Sequence, residues 1–471
     1  MKNIQKFNEI LNIKNANKII IKTRYKNYIG KDLVKEITKR IDYLRNNGLE
    51  KNHTILFKTT NRLEYFFFLI SSAAIGADFI SISENYSNEE FNAIQKIIKP
   101  SQKLNLTYDL KLSNITEKKF KLNLNNINVL FLTSGSTSTP KLISHKFEKL
   151  INNAVNFNQA VNLKKSTVFY HLLPVGYMAG VLNSFLSPIM CGGSIYLSQL
   201  FSPKSSLKFW DEIIKYKINT VWLTPSILNL LTRLPVSDHK KKLVKKYLKK
   251  IFVGTAPLHL KIRQSFEEKF KIRCLESFGM TECMIVSIQK YKDKSDNKTV
   301  GEILKGVNIK IKKNHKNKNQ YGEILIKSKF MMKEYFIQKK DQYIKKTSNN
   351  WLKTGDIGFI DSKQRLNITG RIKDIFIKGG INLSPKYLEN VFLSYPNILE
   401  VAIVVIKSKN FGEDFKLFIK VKNKNNFNLN KLYSFCKLNL NNLYYPQEII
   451  IVKNFEKTIS GKIKKNLLLT K

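Results

Sequence analysis

Hydrophobic and polar positions along the first half of the chain follow the pattern of an α/β protein, in which strands and helices alternate. Between residues 31 and 46 apolar side chains recur every three or four positions, from Leu33 to Leu44, which predicts a helix that ends at Asn47-Gly48. The apolar run Thr54 to Phe57 predicts a strand. A helix at residues 63–75 and a strand at 79–82 follow it, and this alternation predicts an α/β sheet.

Three later predicted strands end in turn or loop residues. Val129 to Thr133 leads into a loop rich in hydroxyl groups, Thr220 to Leu223 into Thr224-Pro225-Ser226, and Ile251 to Val253 into Gly254-Thr255-Ala256-Pro257. Ligands of α/β sheets bind at the carboxyl ends of the strands. We therefore expect a ligand site at this edge of the sheet.

The loop after Thr133 has the composition of an anion-binding loop. Residues 134–140 are serine, threonine, glycine and proline, and Lys141 follows them. Hydroxyl and backbone N–H groups donate to phosphate oxygens, Gly135 permits close approach, and the lysine adds a positive charge. The order of residues differs from that of a Walker A loop. Taken alone, such a loop is more often a plain turn.

The second half of the chain has a different pattern of apolar and polar residues. Short β-branched runs at residues 308–311, 322–326 and 359–360 predict a small β-barrel-like part of the first domain. The last hundred residues predict a separate α+β unit, with strands at 375–377, 401–406, 415–421 and 449–452 and a helix at 430–440. The predicted domains are therefore residues 1–370 and 371–471.

The chain is strongly basic, with 82 Lys and Arg against 35 Asp and Glu among 471 residues and a net charge of +47. Such a charge is compatible with nucleic acid, an anionic membrane surface or an acidic protein partner. The excess is nearly all lysine, spread along the chain beside abundant Asn and Ile, which is typical of an AT-rich genome. No basic recognition helix or arginine-rich tail stands out, so nucleic-acid binding is the weaker interpretation.

Compartment and membrane signals point to a cytoplasmic protein. The four cysteines have no C-x-x-C spacing, which argues against a zinc site or a disulfide framework. The start of the chain lacks the apolar region of a signal peptide. The uncharged segment Ser166 to Pro203 is long enough to cross a bilayer, but prolines and glycines interrupt it. We expect a buried strand and helix there.

Four further segments follow the loop in a fixed order. They are ESFGMTE at residues 276–282, WLKTGDIG at 351–358, GRIKDIFIKGGIN at 370–382 and TISGK at 458–462. Together with the loop they closely resemble the adenylate-forming superfamily of acyl-CoA synthetases, firefly luciferase and the adenylation domains of nonribosomal peptide synthetases. The resemblance spans Ile127 to the C-terminus and is fainter from about residue 30.

The resemblance implies an α/β fold with a large N-terminal domain and a small mobile C-terminal domain. It also implies ATP-dependent activation of a carboxylic acid to an acyl-AMP, with release of pyrophosphate, and transfer of the acyl group to a pantetheine thiol. The expected acceptor is CoA. One alternative is the phosphopantetheine of an acidic acyl carrier protein, for which the positive charge would assist docking. A different class of function is a catalytically weak relative that binds nucleic acid or a membrane surface.

The nucleotide-binding residues follow from the same resemblance. The β- and γ-phosphates of ATP are expected at the loop and its lysine, that is at Thr133, Ser134, Gly135, Ser136, Thr137 and Lys141. Adenine is expected between the ring of Phe278, with Gly279 beside it, and the segment Gly254-Thr255-Ala256. Asp356 resembles the acceptor of the ribose hydroxyl groups, and Arg371 a second ribose or phosphate contact.

The catalytic groups implied by the resemblance are Lys462, Thr281 and Glu282. A lysine that reaches in from a mobile domain can neutralise the carboxylate and the bridging phosphate oxygen as charge develops between them. Thr281 is expected to bond the α-phosphate. Glu282 is expected to hold Mg²⁺, a hard cation that prefers oxygen ligands. Each residue taken singly could equally be a turn residue, a helix cap or a surface lysine, and only their joint order indicates a site.

Substrate choice is the part that the sequence constrains least. Tyr177 and Met178 are expected to line the acyl pocket, and the segment Pro174 to Gly180 contains no acidic residue. An ammonium group without a carboxylate partner would be costly to bury, so an α-amino acid is not expected. Within the phosphate loop, Ser138 and Leu142 replace glycines that are usual in the family. We nevertheless expect an active enzyme.

Transfer of the acyl group to the thiol is expected to depend on a hinge and on a glycine pair in the C-terminal domain. Lys373 occupies the position of the hinge, and Gly379-Gly380 is expected beside the tunnel for the thiol, where absent side chains leave room. Lys373→Pro should slow thioester formation while ATP–pyrophosphate exchange stays largely intact, because proline restricts the hinge backbone. Separate assays of the two half-reactions test this, and an equal loss of both would refute the hinge assignment.

Overall fold

The computed structural model describes most of the chain. The described residues are 2–11, 18–59, 61–82, 91–92, 94–95, 102–106, 127–133, 141–291, 299–313, 321–339, 342–347, 351–379, 381–408, 410–424, 427–440, 444–457 and 463–468. Within these ranges the strands form four sheets, two large and two small.

The strands are numbered in chain order. They are β1 (Ile19–Lys22), β2 (Asn27–Ile29), β3 (Thr54–Thr59), β4 (Asp78–Ile82), β5 (Gln102–Leu106), β6 (Asn128–Thr133), β7 (Lys141–Lys146), β8 (Val168–His171), β9 (Ser194–Leu197), β10 (Thr220–Leu223), β11 (Lys250–Val253), β12 (Cys274–Met280), β13 (Met284–Ile288), β14 (Glu302–Ile303), β15 (Val307–Lys312), β16 (Gly322–Ser328), β17 (Glu334–Lys339), β18 (Gln342–Thr347), β19 (Leu352–Ile360), β20 (Leu366–Arg371), β21 (Phe376–Lys378), β22 (Ile381–Leu383), β23 (Ile398–Ser408), β24 (Gly412–Val421) and β25 (Glu448–Ile451).

Helices separate many of these strands. The α-helices with described bounds are Lys2–Leu11, Gly30–Asn46, Arg62–Ile75, Phe147–Ala160, Ser187–Met190, Pro203–Ser206, Phe209–Lys215, Pro225–Arg233, Asp238–Tyr247, Leu260–Phe270, Pro385–Ser394 and Leu429–Asn439. A π-helix spans Ala179–Leu186, and 3₁₀ turns span Ile372–Asp374 and Lys465–Leu468.

Two mixed sheets form the large part of the molecule. One has nine strands in the order β14-β13-β12-β11-β10-β8-β9-β1-β2, and the other has seven in the order β18-β17-β7-β6-β4-β3-β5. In the nine-stranded sheet the neighbouring strands β12, β11, β10, β8, β9 and β1 run parallel to one another. In the seven-stranded sheet β5, β3, β4 and β6 do the same. Parallel strands place their carboxyl ends at one edge, so the segments that follow β10 and β11 lie at the same edge of the nine-stranded sheet, whereas the predicted phosphate loop follows β6 of the other sheet.

The remaining strands form two smaller sheets. Strands β15, β16, β19 and β20 make a four-stranded antiparallel sheet, where the sequence predicted a barrel-like part. Strands β22, β21, β24 and β23, with β25 beside β24, form the sheet of the C-terminal part, residues 371–468. That part has its own buried cluster around Phe392 and Phe415, separate from the main core. The α/β prediction is confirmed, whereas the exact boundary at residue 370 stays a prediction.

Local capping explains why helices begin and end where they do. The Asn61 side chain accepts hydrogen bonds from the N–H groups of Leu63 and Glu64 and so starts the helix Arg62–Ile75. Gly76, at a φ of 90°, ends that helix in the left-handed conformation that glycine adopts without strain. The predicted turn at Thr224-Pro225 likewise starts a helix, because the Thr224 side chain accepts from the N–H group of Ile227.

The uncharged segment 166–203 is part of the core of the large domain. It contains β8, the π-helix, a short α-helix and β9, so the predicted strand and helix are present and a second strand follows them. In the described part of the chain, no helix combines the length and the apolar character needed to cross a membrane.

A buried ion pair stabilises the C-terminal part and allows a direct test. The Lys378 ammonium donates to Asp414 Oδ1 at 2.6 Å and to the Tyr445 carbonyl at 2.8 Å, and both charged side chains are buried. Asp414→Ala should cost about 3–5 kcal/mol in the free energy of unfolding, because it leaves the buried ammonium uncompensated. Chemical denaturation measures this cost. The double variant Lys378→Met/Asp414→Leu is the control and should recover most of the loss; a cost below about 1 kcal/mol for Asp414→Ala would contradict the prediction.

Candidate active site

A buried aspartate of the four-stranded sheet, Asp356, uses only one of its two carboxylate oxygens in hydrogen bonds to the described residues. Asp356 on β19 pairs with Arg371 on β20, and the Arg371 Nε atom donates to Asp356 Oδ1 at 2.6 Å. The Asp356 side chain is 3% exposed, and its Oδ2 atom has no hydrogen-bond partner among the residues that the structure describes. A buried carboxylate oxygen without a donor is costly, so this atom is suited to accept from the hydroxyl group of a ligand.

The predicted adenine-binding residues lie at adjacent strand ends. Gly254-Thr255-Ala256 directly follows β11, and Phe278 and Gly279 lie near the end of the neighbouring β12. A Cβ atom at Gly254 would lie 2.6 Å from Ser277 Oγ, so only glycine allows the two segments to approach this closely. Thr255 has a φ of 73°, which a β-branched residue adopts only under strain. This strain lies in the segment that the sequence assigned to the nucleotide.

One cavity of about 370 Å³ joins these two groups of residues. Its wall contains Thr255, Ala256, Phe278, Gly279, Asp356 and Arg371. The C-terminal part contributes Lys386, Lys457 and Lys465 to the lining. It also contributes carboxylates, among them Glu400, which pairs with Lys457, and Glu389, which pairs with Lys465. The cavity therefore combines an aromatic ring, a buried carboxylate and several cations, which is a suitable environment for a nucleotide.

The predicted phosphate loop is only partly described. Thr133 and Lys141 are paired residues at the facing ends of β6 and β7, whereas Ser134, Gly135, Ser136, Thr137 and Ser138 lie outside the described residues. Leu142, which replaces a glycine of the family, is 1% exposed and packs in a small apolar cluster with Leu132. Its side chain therefore serves the packing of the sheet.

The turn between β12 and β13 carries Thr281 and Glu282. Burial raises the pKa of the Glu282 carboxyl, and the positive charges of Lys141 and Arg371 partly oppose this rise. Lys141, Glu282 and Arg371 come from three separate segments of the sequence, and the fold brings them close enough to interact electrostatically. Of the predicted phosphate, metal and ribose residues, Lys141 and Arg371 thus lie within reach of the charge of Glu282.

Sequence reasoning missed a buried histidine at this turn. His145 on β7 is fully buried, and its Nε2 atom donates to the Thr281 carbonyl at 2.6 Å. Burial lowers the pKa of His145 to about 4, so the ring is neutral at ordinary pH. The only signal in the sequence is its spacing of four residues from Lys141, which places both side chains on one face of a strand.

Sequence reasoning also missed Lys386 and Glu276, which line the cavity. Lys386 extends from the C-terminal part and donates to the Ile368 carbonyl on β20 at 3.0 Å. Burial lowers the pKa of Lys386, while the nearby carboxylates of Glu276 and Asp356 oppose this shift. Burial also raises the pKa of Glu276, whose Oε1 atom accepts from the Leu258 N–H group. Both groups add charge to the cavity wall; Glu276 opens the ESFGMTE motif without a role predicted from the sequence, and Lys386 lies outside the five motifs.

The predicted catalytic residue Lys462 lies outside the described residues. The residues that flank it, Lys457 and Ile463, form an antiparallel bridge with each other, and both line the cavity.

A second cavity of about 760 Å³ adjoins the first, and Ser226, Asn229 and Thr255 line both. Tyr177 lines this second cavity together with apolar residues such as Leu172 and Phe201. Met178 packs against the main hydrophobic core and is not among the residues that form the wall. Of the two predicted acyl-pocket residues, the structure therefore brings Tyr177 to a cavity.

Of the predicted hinge and thiol-tunnel residues, Lys373 and Gly379 are described, and neither is among the residues that line the two cavities. Lys373 is exposed in the 3₁₀ turn that connects β20 to the C-terminal part. Gly379 follows β21 at a φ of 57°, and its N–H group donates to the Phe411 carbonyl. Gly380 lies outside the described residues.

Polar contacts hold the C-terminal part against the large part. Arg233 donates to the Leu399 carbonyl at 2.8 Å and lies 3.8 Å from the Glu400 carboxylate. Lys261 donates to the Tyr395 carbonyl at 2.9 Å. These contacts fix the orientation in which the lysines of the C-terminal part face the first cavity.

Sequence comparison identifies the family. The sequence model of the AMP-binding enzyme family matches residues 95–336, just over half of the chain. The chain belongs to this family of AMP-binding enzymes. The predicted resemblance to adenylate-forming enzymes is thereby confirmed.

Curated relatives of this AMP-binding enzyme include several acid–CoA ligases. The oxalate–CoA ligase of Saccharomyces cerevisiae is 26% identical over 71% of this chain and 61% of its own length. The 2-succinylbenzoate–CoA ligase of Staphylococcus epidermidis is 29% identical over 74% of this chain and 70% of its own length. The alignments with the first three relatives span 61–66% of their length.

Solved structures share the fold of this AMP-binding enzyme. The ATP-bound structure of MatB from Rhodopseudomonas palustris has a TM-score of 0.87 and 19% identity, and the match covers 99% of this chain and 98% of MatB. The complex of o-succinylbenzoate CoA synthetase from Bacillus subtilis with its acyl-adenylate has a TM-score of 0.81 and 19% identity over 99% of this chain.

The residues of the AMP-binding enzyme fit both a nucleotide and a divalent cation. The unpartnered Oδ2 atom of Asp356 can accept from a ribose hydroxyl group. Glu282 offers one carboxylate, and the described part of the chain contains no cluster of three or more His, Cys, Asp and Glu residues arranged for a metal. A single carboxylate is consistent with Mg²⁺, which commonly binds through one or two carboxylates and the phosphates of the substrate.

The role of Asp356 can be tested by binding measurements. Asp356→Ala should weaken AMP binding about tenfold or more, since a hydrogen bond to a charged group contributes about 1.5–3 kcal/mol. The 2′-deoxy and 3′-deoxy analogues should bind more weakly to the original protein, whereas Asp356→Ala should discriminate little between them and AMP. Calorimetry measures these affinities.

The hairpin that carries Asp356 offers a matched control. Asp361 also pairs with an arginine, Arg365, but does not line the cavity. Asp361→Ala should leave AMP affinity unchanged. Equal effects of the two variants would show that the loss comes from a weakened hairpin and not from the ribose contact.

Proposed function

We propose that this protein activates a carboxylic acid with ATP and transfers the resulting acyl group to a pantetheine thiol, with CoA as the acceptor. The observation that carries the proposal is the Asp356 carboxylate, which has one oxygen without a partner among the described residues and lines a cavity also lined by Phe278 and by lysines of the C-terminal part. The names of the curated relatives, which are acid–CoA ligases, support the same reaction.

In the first step a carboxylate oxygen of the acid attacks the α-phosphorus of ATP. The bond to the β-phosphate breaks, pyrophosphate leaves with the electron pair, and an acyl-AMP remains. Asp356 and Arg371 would hold the ribose, and Phe278 would stack on adenine against Thr255 and Ala256. The binding energy of these groups positions the α-phosphate for attack.

The phosphates would bind at the other end of the site. Lys141 and the loop residues from Thr133 to Thr137 would donate to the β- and γ-phosphates, and Thr281 to the α-phosphate. Glu282 would hold Mg²⁺, which supplies positive charge to the phosphate oxygens. Lys462 would neutralise charge between the carboxylate and the α-phosphate, and the cavity position of its neighbours Lys457 and Ile463 supports this role.

In the second step the thiol attacks the acyl carbonyl and AMP leaves. We propose that the C-terminal part rotates about Lys373 for this step and brings Gly379-Gly380 to the thiol tunnel. The side chains of Ile377 and Phe411, next to Gly379, are exposed in the present orientation. Contact with the large part after rotation would cover this apolar surface and offset the loss of the Arg233–Glu400 contact.

The second cavity is suited to an uncharged acyl group. Among the described residues that line it, Glu400 is the only carboxylate, and it already pairs with Arg233 and Lys457. An α-ammonium group would therefore find no free anion there. We propose a small, medium or aryl acid with an apolar body as the substrate, bound beside Tyr177.

An acyl carrier protein is the second candidate acceptor. The net charge of +47 favours an acidic protein partner. The helix Asp238–Tyr247, with five lysines in ten residues, supplies a basic surface.

The four cysteines are free thiols, which supports the predicted cytoplasmic location.

ATP–pyrophosphate exchange with a panel of carboxylic acids tests the proposed function. At least one acid should support exchange, and Lys462→Ala should lower the rate about 100-fold or more, because the charge it supplies is needed as the transition state forms. Lys464→Ala is the matched control, since this neighbouring lysine is exposed and does not line the cavity.

The possible outcomes separate the candidate functions. Exchange followed by CoA-thioester formation supports the acid–CoA ligase. Exchange without a CoA thioester, but with loading of a carrier protein, favours the second acceptor. Absence of exchange with every acid would refute acid activation.

A further inference from the structure

The turn that presents Thr281 and Glu282 depends on few hydrogen bonds. The Cys283 N–H group donates to the Met280 carbonyl at 3.1 Å and closes the turn. The Met332 N–H group donates to the Glu282 carbonyl at 2.9 Å. The Thr281 carbonyl accepts from His145 Nε2 at 2.6 Å. Of these three donors, His145 is the one that acts through its side chain.

His145 connects this turn to the strand that begins with Lys141. Side chains four residues apart on a strand share one face, so Lys141 and His145 project from β7 in the same direction. Lys141 also interacts electrostatically with Glu282. The strand thus carries two contacts to the turn, a charge at its start and a hydrogen-bond donor near its end.

The chemistry of the imidazole fits a fixed donor. Since a carbonyl oxygen can only accept, the hydrogen of the neutral ring must reside on Nε2. The other nitrogen, Nδ1, has no hydrogen-bond partner within the described residues. His145 is absent from the lining of both cavities, so it acts on the site through Thr281.

We propose that His145 is a positioning residue, which fixes the Thr281–Glu282 turn by donating to the Thr281 carbonyl so that both side chains face the phosphates of ATP. The proposal rests on the proposed function for its kinetic consequences. The geometry of the turn itself can be tested without catalysis.

Two substitutions separate the hydrogen bond from the packing of the ring. His145→Leu keeps an apolar group of similar size and removes the donor. His145→Gln replaces the donor with an amide N–H₂ group of similar reach. In ATP–pyrophosphate exchange, His145→Leu should raise the KM for ATP about tenfold, because the partly buried Thr281 carbonyl loses its donor and the turn shifts. The KM for the acid should stay within about twofold, and His145→Gln should restore the KM for ATP to within about threefold of the original value.

Asn153 provides a matched control. It is also fully buried, and its side chain donates to the Ile285 carbonyl and accepts from the Ile285 N–H group on β13, the strand that follows the turn. Asn153→Leu should lower the melting temperature at least as much as His145→Leu, yet leave the KM for ATP unchanged. A similar rise in the KM for ATP in both variants would show that His145 has only a structural role and would overturn the proposal.

Amide hydrogen exchange of the segment 280–284 provides the readout that is independent of activity. The exchange rate there should rise about tenfold or more in His145→Leu and stay near the original value in His145→Gln, since exchange reports local opening. Unchanged exchange in His145→Leu would overturn the proposal even if the enzyme is active. If no acid supports exchange in the original protein while the amide pattern is as expected, the proposed function fails and the positioning role of His145 stands.

Discussion

The burial of the Asp356 carboxylate beside Arg371 is the constraint on which the site depends. A carboxylate that is almost removed from water needs donors for both oxygens, and Arg371 supplies a donor to only one of them. Arg371 is the last residue of β20, where the chain passes into the C-terminal part, and it pairs with Asp356 in the middle of β19. The first cavity and the connection between the two parts of the molecule therefore share Arg371.

The charges that line the cavity are largely arranged in pairs. Five carboxylates line it, those of Glu276, Asp356, Asp374, Glu389 and Glu400, together with Arg371, Lys386, Lys457 and Lys465. Arg371 pairs with Asp356, Lys457 with Glu400 and Lys465 with Glu389, while burial lowers the pKa of Lys386 and raises that of Glu276. Bringing a carboxylic acid and ATP together requires positive charge, because both reactants are anionic, and these four cations are the Lys and Arg side chains among the described lining residues.

The same cavity depends on the orientation of the C-terminal part. Arg233 and Lys261 bond to backbone carbonyls of that part and hold its lysines toward the nucleotide wall. Such polar contacts at a domain interface are individually weak and can exchange with water, so the orientation they favour is reversible. The apolar side chains of Ile377 and Phe411 are exposed, and the proposed rotation of the C-terminal part would cover them.

The sequence by itself determined many of the helices and strands, the α/β class and the family, since apolar periodicity and turn residues act over a few positions and the five motifs retain their order. It also named Asp356, Arg371, Phe278 and Thr255, which the structure brings to one cavity. Only the tertiary structure decided that His145 contacts Thr281, that Lys386 enters the cavity, and that Met178 packs against the core. These contacts join residues far apart in the sequence, or depend on which face of an element is turned inward. The packing of sheets and domains sets these distant contacts and the inward face of each element, and local sequence patterns encode neither.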